Sequence, residues 1–367
     1  MIGVRLIVAD VLDGLAELAD ESVHCVVTSP PYWGLRDYGT GSWAGGEDGC
    51  DHSVPYGSTT STLEGGKATQ ESSRFYRDRC GRCGARRVDR QFGMEATPEE
   101  YVDRLVDVFR AVRRVLRRDG TVWLNLGDCY ATGSSGQRVV GMNERLGRPV
   151  GAAKQGRGDR RRPAVAGMKP KDVVGIPWRV AFALQDDGWF LRAEIVWSKP
   201  NAMPESVRDR PTKSHEQVFL LARSRRYFYD PDAVREPFSD RSTPRPWNGN
   251  LTPYGEEVGK AAGLGGGSRG DPDLGRNMRS VWSVPTQPYP EAHFAPFPEE
   301  LPRRCILAGC PPGGTVLDPF LGSGTTAKVA RDLGRDAIGI ELNPGYARLA
   351  EERNGQLTIY EGMALSS

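Results

Sequence analysis

The chain has 367 residues, which is long enough for one large α/β domain with insertions or for two domains. Its 49 Lys and Arg nearly balance its 47 Asp and Glu, so net charge gives no argument for a nucleic-acid partner and only local patches can. No apolar run approaches the roughly 20 residues that span a bilayer, and the N-terminus lacks the features of a signal peptide, so we expect a cytoplasmic protein without a membrane partner. Seven cysteines are too few for a disulfide scaffold and favour free thiols or a metal site.

The chain begins with alternating strands and a helix. Residues 4–10 predict a buried strand that ends in Asp10, residues 12–22 a short amphipathic helix, and residues 23–29 a second strand. The second strand runs into Ser29-Pro30-Pro31-Tyr32. Proline fixes its backbone and donates no N–H, so this is a rigid tip with an aromatic end rather than an ordinary turn.

A polar segment, residues 40–95, interrupts this alternation, and we expect it to form an insertion on the edge of the sheet. It contains Cys50-x-His52 and Cys80-x-x-Cys83, four metal-ligand side chains in two close pairs, the second resembling a zinc knuckle. Zinc would close a loop that has too few apolar residues for a core of its own. Because side chains fill all four positions, we predict a structural Zn²⁺ site; the alternative is surface thiols on a disordered loop.

Regular structure resumes after the insertion. Residues 97–120 predict a long helix with Thr97 as N-cap, Pro98 in the first turn, Glu100 as capping-box partner and Gly120 at its end. Strands are predicted at 121–128, 190–200 and 216–224, and helices at 178–189, 297–310 and 343–355.

Two irregular segments separate these elements. Residues 133–172 carry ten Lys or Arg against three Asp or Glu, and residues 236–285 are rich in Gly, Pro, Ser and Arg. Both are interpretable as solvated linkers or as surfaces for a polyanion, and Arg208-Asp209-Arg210 adds a third basic candidate.

A glycine-containing loop follows a strand that ends in Asp318. The loop, residues 319–326, leads into a helix, and the next strand places Glu341 about twenty residues on. Glycines allow close backbone approach, a helix N-terminus offers free N–H groups, and a carboxylate at this spacing can accept ribose hydroxyls. The pattern indicates a nucleoside-containing cofactor; it excludes a Walker A loop and leaves a dinucleotide oxidoreductase open.

The tip Thr28-Ser29-Pro30-Pro31-Tyr32 and the loop Asp318–Thr326 together resemble the DNA amino-methyltransferase family. The order of the two motifs is similar to that of its circularly permuted beta class. The resemblance implies an α/β, Rossmann-like fold with a mixed, mostly parallel sheet flanked by helices. It also implies S-adenosyl-L-methionine as cofactor and double-stranded DNA as substrate, and it makes a cognate restriction endonuclease a candidate partner.

The resemblance also assigns site residues. The tip residues Ser29, Pro30, Pro31 and Tyr32 become catalytic. The cofactor residues are Asp10, Phe297, Asp318, Phe320, Gly322, Gly324 and Glu341, with Phe297 in a segment, His293–Pro298, that precedes the loop. For Asp10 the alternative is a strand-end residue that starts a turn or caps the next helix. Asn125, Asp128 and Trp197–Asn201 resemble motifs near the target pocket.

The tip has the chemistry for an exocyclic amine. Ser29 and the Pro30 carbonyl can accept its two hydrogens, and Tyr32 can stack a flipped base. Ser at this position favours cytosine-N4 over adenine-N6, whose enzymes usually carry Asp there. Methylation at a ring carbon would need a cysteine after proline, and no Pro-Cys dipeptide occurs, so we expect Cys129, Cys305 and Cys310 to be buried apolar residues.

The predicted organisation is a permuted methyltransferase domain with insertions. The segments are 1–39, 96–132 and 173–235 for the catalytic half, 40–95 for the zinc insertion, 133–172 for basic DNA contact, 236–285 for target recognition and 286–367 for the cofactor half. Two rivals stay open: a non-catalytic nucleic-acid-binding protein of the same fold, and a methyltransferase acting on RNA or protein.

Overall fold

The structure is a computed structural model that describes residues 3–34, 40–52, 79–131, 142–143, 148–149, 168–237, 275–287, 297–355 and 358–361. Six α-helices are found in these ranges: α1 Val11–Ala16, α2 Pro98–Val115, α3 Ile176–Asp186, α4 Glu300–Gly309, α5 Thr325–Asp332 and α6 Pro344–Asn354.

Nine strands form one sheet: β1 Val4–Val8, β2 Val23–Thr28, β5 Leu116–Leu126, β8 Phe190–Ser198, β9 His215–Ala222, β10 Val281–Ser283, β11 Thr315–Asp318, β12 Asp336–Glu341 and β13 Thr358–Glu361. Two separate antiparallel pairs are β3 Ser42–Ala44 with β4 Arg86–Val88, and β6 Met142–Asn143 with β7 Arg148–Pro149.

The large sheet has the order β10-β8-β9-β5-β2-β11-β12-β1-β13. Only β9 runs antiparallel to its neighbours β5 and β8, so the sheet is mixed and mostly parallel, as expected. Alternate residues of the same strands enter two different cores: Val26 packs with α1, α2 and α3, whereas Val27 packs with α4 and α5. Helices therefore cover both faces, and the carboxyl ends of the parallel strands stay open for a site.

The first strand does not lie beside the second. β1 pairs with β12 and β13, on the side of the sheet that carries the glycine loop. Residues 1–39 are therefore divided between the two halves rather than belonging to the catalytic half alone, because α1 carries the chain across β12 and β11 to reach β2.

The long helix α2 ends earlier than its pattern predicts. Thr97 accepts a hydrogen bond from the Glu100 N–H, as expected for the N-cap, but the helix stops at Val115 and not at Gly120. The fully buried Leu116 turns into extended backbone and pairs with Val23 of β2. Sheet pairing, which is a long-range contact, overrides the helical periodicity here.

The described parts of the insertion, residues 40–52 and 79–95, lie at the open end of the sheet and not on its edge. β3 and β4 pair with each other and with no strand of the large sheet, and the chain after β4 returns to the catalytic tip. There the Gly93 carbonyl accepts from the Gly34 N–H at 2.9 Å, and the Glu95 carbonyl accepts from the Trp33 indole at 3.0 Å. These contacts bring the insertion into the wall of the site described below.

Most of the two irregular segments lies outside the described residues, so their predicted DNA contacts stay predictions. None of the described helices combines the length and apolarity that a bilayer crossing requires. All seven cysteines carry free thiols, and Cys25, Cys129, Cys305 and Cys310 are buried. The expectation for the last three is thereby confirmed.

Candidate active site

The tip and the glycine loop lie side by side because their strands are neighbours. β2 and β11 are parallel, with Val316 beside Cys25 and Leu317 beside Val26. Both strands therefore end at the same edge of the sheet, and a cavity of about 460 Å³ opens there. Its walls include Ser29, Pro30, Pro31, Tyr32, Phe320 and Gly322.

A buried carboxylate joins the two strand ends. Asp318, only 2% exposed, accepts hydrogen bonds from the hydroxyls of Thr28 at 2.6 Å and Thr326 at 2.7 Å, and from the Phe320 N–H at 3.1 Å. Burial raises the pKa of this carboxyl to about 6. We predicted Asp318 as a cofactor contact, but its side chain lies behind the loop. From that position Asp318 holds the start of the glycine loop against the end of β2.

The two glycines of the loop have different surroundings. Gly322 has a left-handed φ of 56° with open space where a Cβ would lie, and it lines the cavity. Gly324, with φ 81°, precedes α5, and a Cβ there would lie 2.6 Å from Asn354 Nδ2 and 3.0 Å from the Ala350 Cβ. Of the two predicted cofactor glycines, the structure places Gly322 at the cavity and Gly324 in the contact between α5 and α6.

Glu341 ends β12 on the cavity wall. Its carboxylate oxygens accept from the N–H groups of Gly322 and Asn343, each at 2.8 Å. Burial raises the pKa of the Glu341 carboxyl to about 7. Phe297 and Phe320 line the same part of the cavity, and Phe320 packs edge-on against Phe92 of the insertion at 5.2 Å. A carboxylate beside aromatic rings and an open glycine suits a nucleoside.

Asp10 caps a helix at the border of the cavity. Its Oδ1 accepts from the Leu12 N–H at 3.0 Å and so caps α1, as the alternative interpretation predicts. The residue also lines the cavity.

A polar network fixes the side chains of the tip. The Tyr32 hydroxyl lies 2.7 Å from Glu216 Oε2 and 2.9 Å from Asn125 Oδ1. The Ser29 hydroxyl donates toward Asn125 Oδ1 at 3.2 Å, with Tyr32 Oη at 3.4 Å as the alternative acceptor. Asn125 in turn donates to Glu216 Oε2 at 3.3 Å and to the Gln217 carbonyl at 3.1 Å. The Ser29 proton is thus directed into the protein, which leaves the oxygen's lone pairs for a ligand.

The backbone of the tip is fixed as well. The Tyr101 hydroxyl donates to the Pro31 carbonyl at 2.9 Å. The Tyr32 ring lies against Gly127, where a Cβ would come within 2.4 Å of the ring. Among the described residues none donates to the Pro30 carbonyl, so this acceptor is available to a ligand.

Comparisons with known proteins agree with this geometry. The profile of the family described as DNA methylase matches residues 23–352, most of the chain. The chain belongs to the DNA methylase family.

Its relatives include full-length enzymes. The chain is 40% identical over 349 residues to type II methyltransferase M.SmaI of Serratia marcescens, covering 95% of this chain and 90% of that protein. It is 42% identical over 351 residues to M.XycI of Xanthomonas campestris pv. cyanopsidis, with 96% and 87% covered.

Two solved structures share the fold of this methylase. The PvuII DNA methyltransferase (cytosine-N4-specific) has a TM-score of 0.55 at 17% identity, covering 98% of this chain and 88% of that one. A putative DNA modification methylase from Thermus thermophilus, complexed with S-adenosyl-L-methionine, has a TM-score of 0.53 at 22% identity, with 98% and 99% covered. The Rossmann-like methyltransferase fold predicted from the motifs is confirmed.

Sequence reasoning missed part of the methylase site. Glu216 was not predicted as a site residue; in the structure its carboxylate accepts hydrogen bonds from Tyr32 and Asn125. Lys199, in the predicted Trp197–Asn201 motif, forms an ion pair with Glu216, and its ammonium lies 4.2 Å from the Trp197 ring centre. An acidic residue near the start of a strand whose last five residues, Val218–Ala222, are all apolar was the available signal.

Two other predicted polar residues have structural partners. Asp128 lines the cavity, as predicted, but its Oδ1 accepts from the N–H groups of Cys129, Gly175 and Ile176 and so fixes the start of α3. Arg210, a candidate for DNA contact, pairs with Glu205 at 2.6 Å and stacks on Tyr130 at 3.9 Å.

The four predicted zinc ligands of the methylase come together. The ligand atoms of Cys50, His52, Cys80 and Cys83 all lie within 4.8 Å of one another. Cys50 Sγ and Cys80 Sγ are 3.9 Å apart, and Cys83 Sγ is 3.5 Å from His52 Nδ1. Tetrahedral zinc with ordinary bond lengths separates two sulfurs by about 3.8 Å and a sulfur from a nitrogen by about 3.5 Å. The donor set and its spacing fit Zn²⁺.

Proposed function

We propose that this DNA methylase transfers the methyl group of S-adenosyl-L-methionine to the exocyclic N4 of a flipped cytosine at a specific site in duplex DNA. The observation that carries the proposal is the pair of acceptors at the tip. Ser29, whose proton is engaged by Asn125 or Tyr32, and Pro30, whose carbonyl accepts from no described residue, both line the cavity shared with the glycine loop.

The amine needs these acceptors because its lone pair is delocalised into the pyrimidine ring. Hydrogen bonds from its two N–H groups to Ser29 and Pro30 favour a pyramidal nitrogen whose lone pair points into the cavity. Bound cofactor supplies an electrophilic methyl group on a sulfonium. The protein's part is then to position the two reactants, and such positioning accounts for a large share of a rate acceleration.

The aromatic residue of the tip would stack on the base. Gly127 supports one side of the Tyr32 ring, and Glu216 and Asn125 fix its hydroxyl. Burial and the Glu216 charge raise the pKa of Tyr32, so the phenol stays protonated and donates. A ring fixed in this way loses little entropy on stacking, which is worth on the order of 1–3 kcal/mol per base and offsets part of the cost of flipping.

The cofactor would occupy the part of the cavity lined by Gly322, Phe297, Phe320 and Glu341. Glu341 would accept the ribose hydroxyls, and the open space over Gly322 would admit the ligand to the backbone. The solved Thermus methylase of the same fold is a complex with S-adenosyl-L-methionine.

Three observations support cytosine-N4 over adenine-N6. The tip carries Ser29 rather than Asp, Asn125 lies where it can accept the serine proton, and the PvuII enzyme of the same fold is cytosine-N4-specific. The type II relatives further support a role in restriction–modification, with a cognate endonuclease as partner.

We also propose that Cys50, His52, Cys80 and Cys83 hold a structural Zn²⁺. Four protein ligands leave no position for substrate. The chain leaving Cys83 forms β4 and then places Gln91 and Phe92 on the cavity wall, so the metal would stabilise that wall.

Metal analysis of the purified chain tests the zinc site. We expect about one zinc per chain in the wild type and almost none in Cys80→Ser, because three ligands bind zinc much more weakly than four. Cys305→Ala, which removes a thiol in the core, should keep its zinc. Equal zinc content in wild type and Cys80→Ser would contradict the site.

Transfer of label from [methyl-³H]S-adenosyl-L-methionine tests the function. We expect label in duplex DNA, little in RNA or protein, and almost none in any of them with Tyr32→Ala. Label confined to RNA or protein would show that duplex DNA is not the substrate. No transfer, with cofactor and DNA still bound, would favour the non-catalytic rival.

A further inference from the structure

One cation on the cavity wall has no partner in the described part of the chain. The described wall carries Arg90, Lys199 and Lys213. Arg90 pairs with Asp13 at 3.0 Å, and Lys199 pairs with Glu216. Lys213 forms a hydrogen bond to the described residues only through its backbone N–H, which donates to Glu205 Oε2 at 3.3 Å. Its ammonium is therefore available to a ligand in the cavity.

This ammonium is partly removed from water. Burial lowers the pKa of Lys213, and the carboxylates of Asp128 and Glu216 act in the opposite direction. Both carboxylates already have partners, Asp128 in three backbone N–H groups and Glu216 in Lys199, Tyr32 and Asn125. A half-buried cation with no partner is unfavourable until an acceptor enters the cavity.

A flipped cytosine brings such acceptors to this wall. Its N4 amine, N3 and O2 follow one another along one edge, and enzymes that flip bases bind that edge with hydrogen bonds. Adenine shares the amine and the adjacent ring acceptor, but it has a C–H where cytosine has O2. With the amine at Ser29 and Pro30, a donor farther along the wall distinguishes the two bases.

We propose that Lys213 donates a hydrogen bond to O2 of the flipped cytosine, with N3 in reach of the same ammonium, and thereby selects cytosine over adenine. The proposal rests on the proposed function. The Asn125 amide group is the competing donor near the tip, but its hydrogens are engaged by Glu216 and the Gln217 carbonyl. Lys199 is engaged as well, so Lys213 is the cationic donor that the described wall offers.

The test uses the full chain with Lys213→Met, which keeps the length of the side chain and removes its donors, and Lys213→Arg, which keeps them. The substrate is unmethylated bacterial genomic DNA, and nucleoside mass spectrometry follows N4-methylcytosine and N6-methyladenine. Arg118→Met is the control for loss of a surface cation, because Arg118 is 84% exposed, lines no part of the cavity and lies outside the predicted DNA-contact segments.

We expect Lys213→Met to form N4-methylcytosine about 10- to 100-fold more slowly, as for loss of a hydrogen bond to a charged donor. The ratio of N6-methyladenine to N4-methylcytosine should rise, and Lys213→Arg should recover part of the rate. The dissociation constant of S-adenosylhomocysteine should not change. The melting temperature of Lys213→Met should equal or exceed that of the wild type, since a half-buried charge is removed.

Three results would overturn the proposal. One is a wild-type rate in Lys213→Met. Another is a loss of S-adenosylhomocysteine binding in Lys213→Met as large as its loss of rate, which would show that Lys213 contacts the cofactor. The third is that Lys213→Met binds every duplex more weakly by the same factor, with the slope of log affinity against log salt concentration reduced by about one. That result indicates a phosphate contact. If the wild type itself forms no N4-methylcytosine, the proposed function fails together with this inference. If the wild type forms N4-methylcytosine and Lys213→Met forms it at the same rate, the inference fails alone.

Discussion

The tip and the glycine loop lie on neighbouring strands, yet they are stabilised in different ways. The loop is fixed mainly by residues of its own half: Asp318 binds Thr326 and Phe320, and Glu341 binds Gly322. Thr28 of β2 adds a hydrogen bond to Asp318 from the other half. The side chains of the tip depend on residues far along the chain, since the bond from Tyr32 to Glu216 spans 184 positions. The glycine loop is thus built mostly from one part of the chain, whereas the surroundings of the tip are assembled from several segments.

Replacing Ser29 should separate the two regions most strongly. Ser29→Ala removes one of the two acceptors for the amine, and loss of one such group typically costs on the order of 10²–10³ in kcat. We expect S-adenosylhomocysteine binding, measured by calorimetry, to stay at the wild-type value because the loop is untouched. Ser22→Ala, at a surface hydroxyl that donates to the Ala19 carbonyl, is the control. An undiminished kcat in Ser29→Ala would show that the amine does not bind at Ser29.

Replacing Glu216 tests whether the network supports the tip. Glu216→Gln neutralises the carboxylate that binds Tyr32, Asn125 and Lys199, and leaves the Lys199 charge without its partner. We expect kcat to fall by about 10- to 100-fold, the effect of breaking a partly buried charged hydrogen-bond network. The KM for S-adenosyl-L-methionine should change little.

The control for Glu216 is Glu194→Gln, an exposed position on the adjacent strand β8. Equal activity in the two variants would show that the tip keeps its shape without Glu216. A raised KM for the cofactor with an unchanged kcat would show that Glu216 supports the glycine loop and not the tip.

The pH dependence of cofactor binding examines the loop alone. The pKa of Glu341 is raised from its ordinary value of 4.5 to about 7 by burial, so binding of ribose hydroxyls, which need the ionised acceptor, requires loss of a proton. We expect the affinity for S-adenosylhomocysteine to increase up to about tenfold per pH unit as the pH rises towards 7, and to level off above it.

The free protein should show the opposite trend in stability. A carboxyl whose folded pKa is raised stabilises the fold at low pH, and this contribution is lost as the pH rises from about 4.5 to about 7. Glu341→Gln should weaken binding and make it independent of pH, whereas the exposed Glu352→Gln should keep the wild-type profile. A wild-type affinity that stays flat from pH 5.5 to 8 would contradict the assignment.

Effects on stability rather than on rate distinguish two glycines of one loop. Gly324→Ala combines a left-handed φ with close approach to α6, and we expect the free energy of unfolding to fall by about 2–5 kcal/mol in urea titrations. Gly322→Ala has space for its methyl group, and we expect a loss of about 1–2 kcal/mol with weaker cofactor binding. The reverse order of stabilities would show that α6 does not pack on Gly324 as described.

The sequence was informative wherever a function sits in a contiguous motif. The tip, the loop, Glu341 and the four zinc ligands all lie in short patterns with a physical reason for each residue, and the structure brings each pattern together. The direction of a side chain at a strand end is not visible in this way, so Asp318 was assigned to the cavity although it points behind the loop. The positions of Glu216 and Lys213 on the cavity wall were missed because they depend on the pairing of the antiparallel strand β9, which starts at His215.

The identity of the methylated base tests the central claim most directly. Duplex DNA incubated with the wild-type protein and S-adenosyl-L-methionine, digested to nucleosides and analysed by mass spectrometry, should contain N4-methylcytosine, with Ser29→Ala forming it at no more than about one hundredth of the wild-type rate. N6-methyladenine as the main product, or a methylated ring carbon, would contradict the account.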